Sequence, residues 1–388
     1  MSYFLSRLWK HLPEFVFLAA VIWVQFRFAR WLTELEAVKR SAWLRRGVRV
    51  LAVLLAVFAA LGVAGNFPIV HRSLPSSALL YWARGTSLAW SFASLGACAV
   101  LALWRRVPDF SPQRRGLIRA AGAAFVSAPF AVMGFGILVQ RKDFRVREVS
   151  VPIANLPKDL DGLRIAHLSD IHLSPFLSEA ELAWAVSMAN ELKPHLAVVT
   201  GDLITAAGDP LDACLHELSK LRAEAGILGC LGNHEIYAHA EDEATRKGAR
   251  LGIPFLRRQS RRLRFGGSIL NVTGVDYQRM GGDYLPGAER AIVPGATNIL
   301  LSHNPDVFDV AARQGWDLTL AGHTHGGQVN VEILNQSLNA ARFFTRYVYG
   351  LYRNGPSSIW VTRGIGTVGV PARVGAPPEV ALIRLCAT

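Results

Sequence analysis

Eight polar residues in five short clusters of this 388-residue chain could do chemistry together. They lie in Asp170-Ile-His172, Gly201-Asp202, Gly232-Asn233-His234-Glu235, His303 and Gly322-His323-Thr324-His325. Carboxylates, imidazoles and one carboxamide form a mixed oxygen and nitrogen donor set, which suits borderline divalent cations such as Mn²⁺, Fe²⁺ or Zn²⁺. Two such ions about 3.5–4 Å apart can share a bridging carboxylate and a hydroxide, and can hold the oxygens of a phosphoryl group under in-line attack. A lone Asp or His is ordinarily a cap, a turn or a satisfied surface group. The weight here lies in the set.

Each cluster ends an apolar run: LRIAHLS, LAVVT, GILGCL, NILLS and DLTLA. Amphipathic stretches near Ser178–Glu191, Pro210–Arg222 and Asp306–Gln314 alternate with these runs. Strand, polar cluster and helix in repetition predict an α/β arrangement with ligands collected at the carboxyl ends of strands. Ser268–Val275, Ser358–Thr362 and Glu379–Leu385 read as further strands, so the sheets should be mixed. Gly201, Gly232, Gly322, Gly326 and Gly327 let the backbone turn sharply beside a ligand.

These five motifs, in this order over Leu163 to Gln328, resemble the calcineurin-like metallophosphoesterase superfamily. The resemblance implies a four-layer sandwich, two mixed β-sheets flanked by helices, and two divalent metal ions (Mn, Fe or Zn). It further implies that Asp170, His172 and His325 bind the first metal, with Asp202 bridging to the second. Asn233, His303 and His323 would complete the second metal's shell. His234 would be the catalytic residue, stabilising phosphoryl charge or protonating the leaving oxygen. Many relatives continue the second motif as Gly-Asp-x-x-Asp, whose later carboxylate can orient that histidine. Here the position is Thr205, so another group must orient His234 or its proton-donor role is weaker.

Outside the motifs the histidines read as structural. His167, His195, His216 and His239 fall between the clusters, and His167 alternates away from Asp170 along its strand, behind the ligands. Glu235 reads as a cap or orienting group, and Asn304, Asp306, Gly327 and Gln328 are weaker supporting candidates. Four cysteines form no CxxC pair and read as small core residues. The run Arg257, Arg258, Arg261, Arg262, Arg264 reads as a solvated face, with anionic lipid headgroups as the alternative contact.

The net charge of +13 invites a nucleic-acid reading, but its location argues against one. Residues 1–150 hold 20 Lys/Arg against 6 Asp/Glu, and residues 151–388 hold 22 against 23. The excess therefore flanks apolar stretches at Leu12–Phe28, Val50–Val70, Thr86–Trp104 and Ala120–Val139, each near the length of a membrane span. The expected organisation is an all-α transmembrane region of about four helices (1–140), a linker and lead-in strand (141–158) and the phosphoesterase domain (159–388). Arginines cluster between the first and second spans and between the third and fourth. The positive-inside rule then puts both loops in the cytoplasm and the catalytic domain on the extracytoplasmic face. Arg141, Lys142, Arg145 and Arg147 after the last span pull the other way.

An anchor combined with SDIH, GNHE and GHTHGGQ resembles the membrane-anchored YkuE/YaeI-like bacterial branch of the superfamily. That branch also holds UDP-2,3-diacylglucosamine hydrolases of lipid A synthesis, which need a cytoplasm-facing site. The expected function is hydrolysis of a phosphodiester or pyrophosphate, on a membrane-associated or lipid-linked substrate. The expected partners are that phosphoester and the lipid bilayer, with no nucleic acid. Two alternatives compete: a phosphoprotein or phosphomonoester phosphatase, and a non-catalytic membrane receptor on the same fold. Every ligand position is filled, which argues against the receptor, and Thr205 argues against the phosphatase.

Overall fold

The computed structural model describes residues 12–65, 77–106, 115–279, 281–333 and 336–388. The chain divides into two compact units. One runs through Ile137 and takes in Gly369–Ala372; the other comprises Leu138–Val368 and Arg373–Thr388.

The first unit contains α1 (Leu12–Glu34), α2 (Ala42–Ala64), α3 (Ala78–Trp104) and α4 (Arg115–Leu138). Four of the described helices are long and apolar enough to cross a membrane, at Phe15–Glu34, Ala42–Ala64, Ala78–Trp104 and Ala121–Lys142. The helices outrun the apolar stretches that seed them. Arg45, Arg46 and Arg49, expected in a loop, lie in the first turns of α2, and Arg30 lies in the last turns of α1. Residues 66–70, the end of the second expected span, and the histidines at 11 and 71 fall outside the described residues. Small residues let the helices approach: a Cβ on Gly62 of α2 would sit 1.2 Å from Ser87 Oγ of α3. Gln25 supplies the polar contact, donating to Ser94 Oγ (3.1 Å) and accepting from Trp90 Nε1 (3.2 Å). Pro129 sits inside α4, as a packed apolar helix tolerates.

The second unit is built on two sheets. The first holds β1 (Arg145–Ile153), β2 (Arg164–Leu168), β3 (Leu196–Thr200), β4 (Ile227–Cys230) and, from the chain's end, Glu379–Ala387, which is β13. Its order is β1-β13-β2-β3-β4, parallel except where β13 meets β2. The second sheet takes β5 (Gln259–Phe265), β6 (Ser268–Gly274), β7 (Thr297–Leu301), β8 (Leu318–Ala321), β11 (Gly350–Asn354) and β12 (Ser357–Val361). Its order is β11-β12-β8-β7-β6-β5, with a parallel centre and antiparallel edges. The hairpin β9 (Asn330–Ile333) and β10 (Gln336–Asn339) stands apart.

Alternate residues of the central strands face opposite layers, which explains their largely apolar runs. Leu196 and Val198 of β3 meet Ile299, Leu301, Leu318, Leu320 and Trp360 between the sheets. Ala197 and Val199 face the helices, where Leu182, Ala185, Val186, Cys214, Leu215 and Leu218 cover them. The covering helices are α5 (Glu179–Glu191) and α6 (Leu211–Leu218). Ser178 and Glu181 form a capping box that starts α5. Two short helices had no signature in the apolar pattern: α7 (Asn233–Tyr237) and α8 (Glu241–Arg250). On the second sheet's outer side Leu300 packs with Val307, Ala311 and Trp316, in and flanking α9 (Phe308–Gln314). The result is a sandwich of two mixed sheets flanked by helices. Of the run of arginines read as a solvated face, Arg261, Arg262 and Arg264 lie on β5, an edge strand, where charged side chains discourage pairing with another chain.

Candidate metal centre

All five motifs begin where strands end. Asp170 and His172 follow β2, Asp202 follows β3, Asn233 and His234 open α7 after β4, His303 follows β7, and His323 and His325 follow β8. The backbone there is unusual. Asp170, His172, Asp202, His323 and His325 all have left-handed φ, between 48° and 75°. A non-glycine residue in that region costs about 1–3 kcal/mol and persists where surrounding structure enforces it. The enforcement is visible at Gly322, where a Cβ would lie 2.1 Å from Ser169 Oγ and 2.2 Å from Asp170 Oδ2. At Gly201 (φ 87°) a Cβ would meet Gly232 N at 2.3 Å.

The side chains converge in three overlapping groups whose candidate ligand atoms lie within 4.8 Å of one another: Asp170, His172 and His325; His172, Asp202 and His234; and Asp202, His303 and His323. Asp202 joins the two sides, with Oδ2 3.4 Å from His172 Nε2 and 3.0 Å from His303 Nε2. His172 Nε2 and His325 Nε2 face each other at 3.1 Å, and Asp170 Oδ1 lies 3.5 Å from His325 Nε2 and 3.9 Å from His303 Nε2. Asn233 Oδ1 is buried, and no donor among the described residues reaches it. A buried carboxamide oxygen with no donor beside such a cluster is suited to ligating a cation. The donor set, two carboxylates, one amide oxygen and four imidazoles, therefore fits two borderline divalent ions.

The outward ring nitrogens show how the histidines are held. His303 Nδ1 donates to Thr200 O (2.6 Å), and His234 Nδ1 to Thr205 O (2.6 Å). His172 Nδ1 lies 3.2 Å from Thr205 Oγ1. The two carbonyls favour the tautomer that leaves Nε2 of His303 and His234 free toward the centre, while the Thr205 hydroxyl can give or accept at His172. Thr205 thus answers the question its sequence position raises: its carbonyl orients His234 and its hydroxyl faces His172. Asp209 in turn accepts from Thr205 N and Ala206 N, both at 2.9 Å. Glu235, fully buried, accepts from Gly232 N (2.7 Å), Asp202 N (3.0 Å) and Leu203 N (2.7 Å), tying the second motif to the third.

Electrostatics follow from burial. Burial lowers His172 and His325 and pushes His323 down to about 4, keeping these rings neutral with a lone pair to give. Burial also opposes a charge on His303, but Asp202 and Asp170 outweigh it and raise the ring to about 10. Burial works to raise the Asp202 carboxyl, yet His303, His234 and His172 hold it well below the usual carboxylate range. Asp170 is raised, chiefly by burial.

His167 lies off this constellation, fully buried with Nε2 2.8 Å from Thr200 Oγ1, and burial pushes it down to about 3. Asn304 binds Gln278 O and caps Asp306 N, and Gln328 bonds Val368 at both its amide atoms, so these shape loops. Three neighbours carried no motif. Asp209 and Tyr277 lie in polar loops, the latter with its ring 6.1 Å from His303 and 5.7 Å from His323. Arg373 is fully buried and gives its guanidinium to the carbonyls of Arg363, Gly366 and Ala376. It braces the loop whose Gly364 lies against Asp170.

Against known families, residues 163–327 match calcineurin-like phosphoesterase. This segment is a calcineurin-like phosphoesterase domain. The chain is 31% identical over 277 residues to a transmembrane protein with metallophosphoesterase domain of Danio rerio, covering 68% of this chain and 62% of that one. It is 28% identical over 276 residues to the metallophosphoesterase YkuE of Bacillus subtilis (69% and 94% covered). It is likewise 28% identical over 277 residues to the phosphodiesterase YaeI of Escherichia coli (70% and 98%). The chain thus spans less than two thirds of the zebrafish protein's length.

Proposed function

We propose that the calcineurin-like domain hydrolyses a phosphodiester or pyrophosphate bond with two divalent ions. Asp170, His172, His325 and Asp202 would hold one ion, and Asp202, Asn233, His303 and His323 the other. The observation that carries the reading is Asp202, whose Oδ2 lies 3.4 Å from His172 Nε2 and 3.0 Å from His303 Nε2, between the two candidate ligand groups. When bound, the ions supply the Lewis acidity that activates water and neutralises phosphoryl oxygens. The chain supplies the rest. Strand-end turns fix the ligands, and Thr205 O holds His234 with Nε2 turned inward, where a neutral ring accepts a hydrogen bond and a protonated one gives its proton to the leaving oxygen.

The phosphodiesterase name of the Escherichia coli relative supports a diester over a monoester. The apolar helices support a membrane-associated or lipid-linked substrate, because an anchor concentrates the site near such molecules. A UDP-2,3-diacylglucosamine-type pyrophosphate is one compound of that class. The arginines around α1 to α4 support an extracytoplasmic domain, the side that protease accessibility in spheroplasts would read.

The test is hydrolysis of bis-p-nitrophenyl phosphate by the full chain, stripped of metal and reloaded with Mn²⁺, beside Asn233→Ala. Turnover restored by metal and lost in the variant is expected. No turnover and no bound metal would overturn the reading.

A further inference from the structure

One turn of the domain holds two phenyl rings out into water. Phe343 and Phe344 are 90% and 72% exposed, within Arg342-Phe343-Phe344-Thr345-Arg346. Single exposed apolar residues are ordinary, but adjacent phenyl rings facing solvent are not. Nor is the turn slack. At its start Asn339 donates Nδ2 to Gly326 O (2.8 Å), the residue after His325, and accepts from Ala341 N (2.8 Å). At its end Thr345 donates to Asp306, three residues after His303. Phe344 N and Thr345 N both close onto Ala341 O at 2.9 Å. Arg346 and the Tyr347 hydroxyl then engage Asp309. The rings are therefore presented by a turn latched to two of the turns that carry candidate metal ligands.

We propose that Phe343 and Phe344 bind the alkyl chain of the substrate, so that the site takes a phosphoester bearing a long-chain lipid substituent. The proposal rests on the phosphoesterase reading and names its substrate class. A phenyl ring offers no ordinary hydrogen bond, and an alkyl chain is an occupant that gains by covering it. The metal centre takes the phosphoryl group, and two rings on a turn latched to Gly326 and Asp306 suit what is attached to that group. Phenyl rings on a latched turn lose little freedom on binding, unlike flexible aliphatic side chains. Helices apolar enough to cross a membrane keep the chain among lipids, where an alkyl phosphoester is at hand.

The experiment uses the full chain in detergent, loaded with Mn²⁺, and a series of p-nitrophenyl alkyl phosphates from ethyl to octyl below their micellar concentrations. In the unaltered protein kcat/KM should rise about two- to fourfold per added methylene, as expected for a chain being taken out of water. The double variant Phe343→Ser, Phe344→Ser should flatten that slope and leave the ethyl ester unchanged. Trp184→Ser, at a 66% exposed aromatic on α5, should leave the slope intact. No slope in the unaltered protein, or an unchanged slope in the double variant, overturns the proposal. An equal loss on ethyl and octyl esters also overturns it, making the turn a support for the metal centre. Hydrolysis of no ester at all sinks the phosphoesterase reading instead. Calorimetry with octyl and ethyl phosphate then decides the subsite: a preference for octyl that the double variant loses supports it, and equal binding refutes it.

Discussion

The two sides of the metal centre are held by different kinds of atom. On one side His172 rests against the hydroxyl of Thr205, a side chain (3.2 Å). On the other His303 rests against the carbonyl of Thr200, a main-chain atom at the end of β3 (2.6 Å). A carbonyl survives any substitution at its own residue, whereas a hydroxyl does not. The second side is therefore built into the sandwich, and the first can be adjusted one residue at a time. Thr205 sits at the junction, because its carbonyl also holds His234.

The comparison breaks most completely at the residue both sides share. Asp202→Ala removes the carboxylate lying 3.4 Å from His172 and 3.0 Å from His303. Loss of metal-assisted charge stabilisation of several kcal/mol corresponds to a fall in turnover on the order of 10³-fold or more. Metal analysis should show both ions weakened. A variant that keeps two tightly bound ions would mean Asp202 does not join the two sides.

His234 tests the division between holding metal and moving charge. Positioned acid–base groups contribute about 10²–10⁴-fold, so His234→Ala should lose turnover in that range while keeping both ions. The loss should grow as the leaving group becomes more basic than p-nitrophenolate. A loss that is flat across leaving groups would remove the proton-donor role.

How much of this could be read from the sequence follows the same line between side chain and main chain. Asp170, His172, Asp202, Asn233, His303, His323 and His325 were legible because each is a chemically distinctive side chain ending an apolar run. The strands were legible because burial on both faces keeps them mostly apolar, with Thr200, Thr297, Asn298 and Thr319 as their polar members. The supports were not. A carbonyl such as Thr200 O has no letter in the sequence, and the role of Thr205 depends on which of its atoms faces which ring. The short helices α7 and α8 are a turn of candidate ligands and a polar surface segment, so neither carries an apolar stripe. Arg373 looks like any loop arginine, and only its burial against three carbonyls shows that it braces the turn beside Asp170. The arginines of β5 obscured a strand because an edge strand needs little apolar surface.

Thr205→Val sharpens the comparison by removing the hydroxyl and keeping the carbonyl. Partners that orient a metal-ligating histidine are worth about 10–100-fold in metal affinity or activity. The first ion should weaken by that factor, while the second ion stays bound and the leaving-group dependence set by His234 is unchanged. Titration of the stripped protein with Mn²⁺ should then show two separated affinities where the unaltered protein's lie closer together. Equal weakening of both ions would erase the distinction between the two sides.

Asp209→Ala should have the smallest effect and the opposite signature. Its carboxylate, raised by burial, holds Thr205 N and Ala206 N at 2.9 Å and so fixes where the Thr205 carbonyl points. Removing it lets water take both N–H groups, so the loop loosens without leaving an unsatisfied donor. A net hydrogen bond is worth about 1 kcal/mol, or roughly fivefold, and kcat should fall by about that much while metal affinity holds. The reason lies in what each histidine has besides Thr205. His172 is also held by its own strand-end turn, with His172 N donating to Asp202 O at 2.9 Å, so a looser loop costs it little. His234 stands on the short α7 and takes its ring orientation from that carbonyl. Should the Asp209 variant lose metal as the Thr205 variant does, the loop moves as one body. Hydroxyl and carbonyl would then not be separable supports.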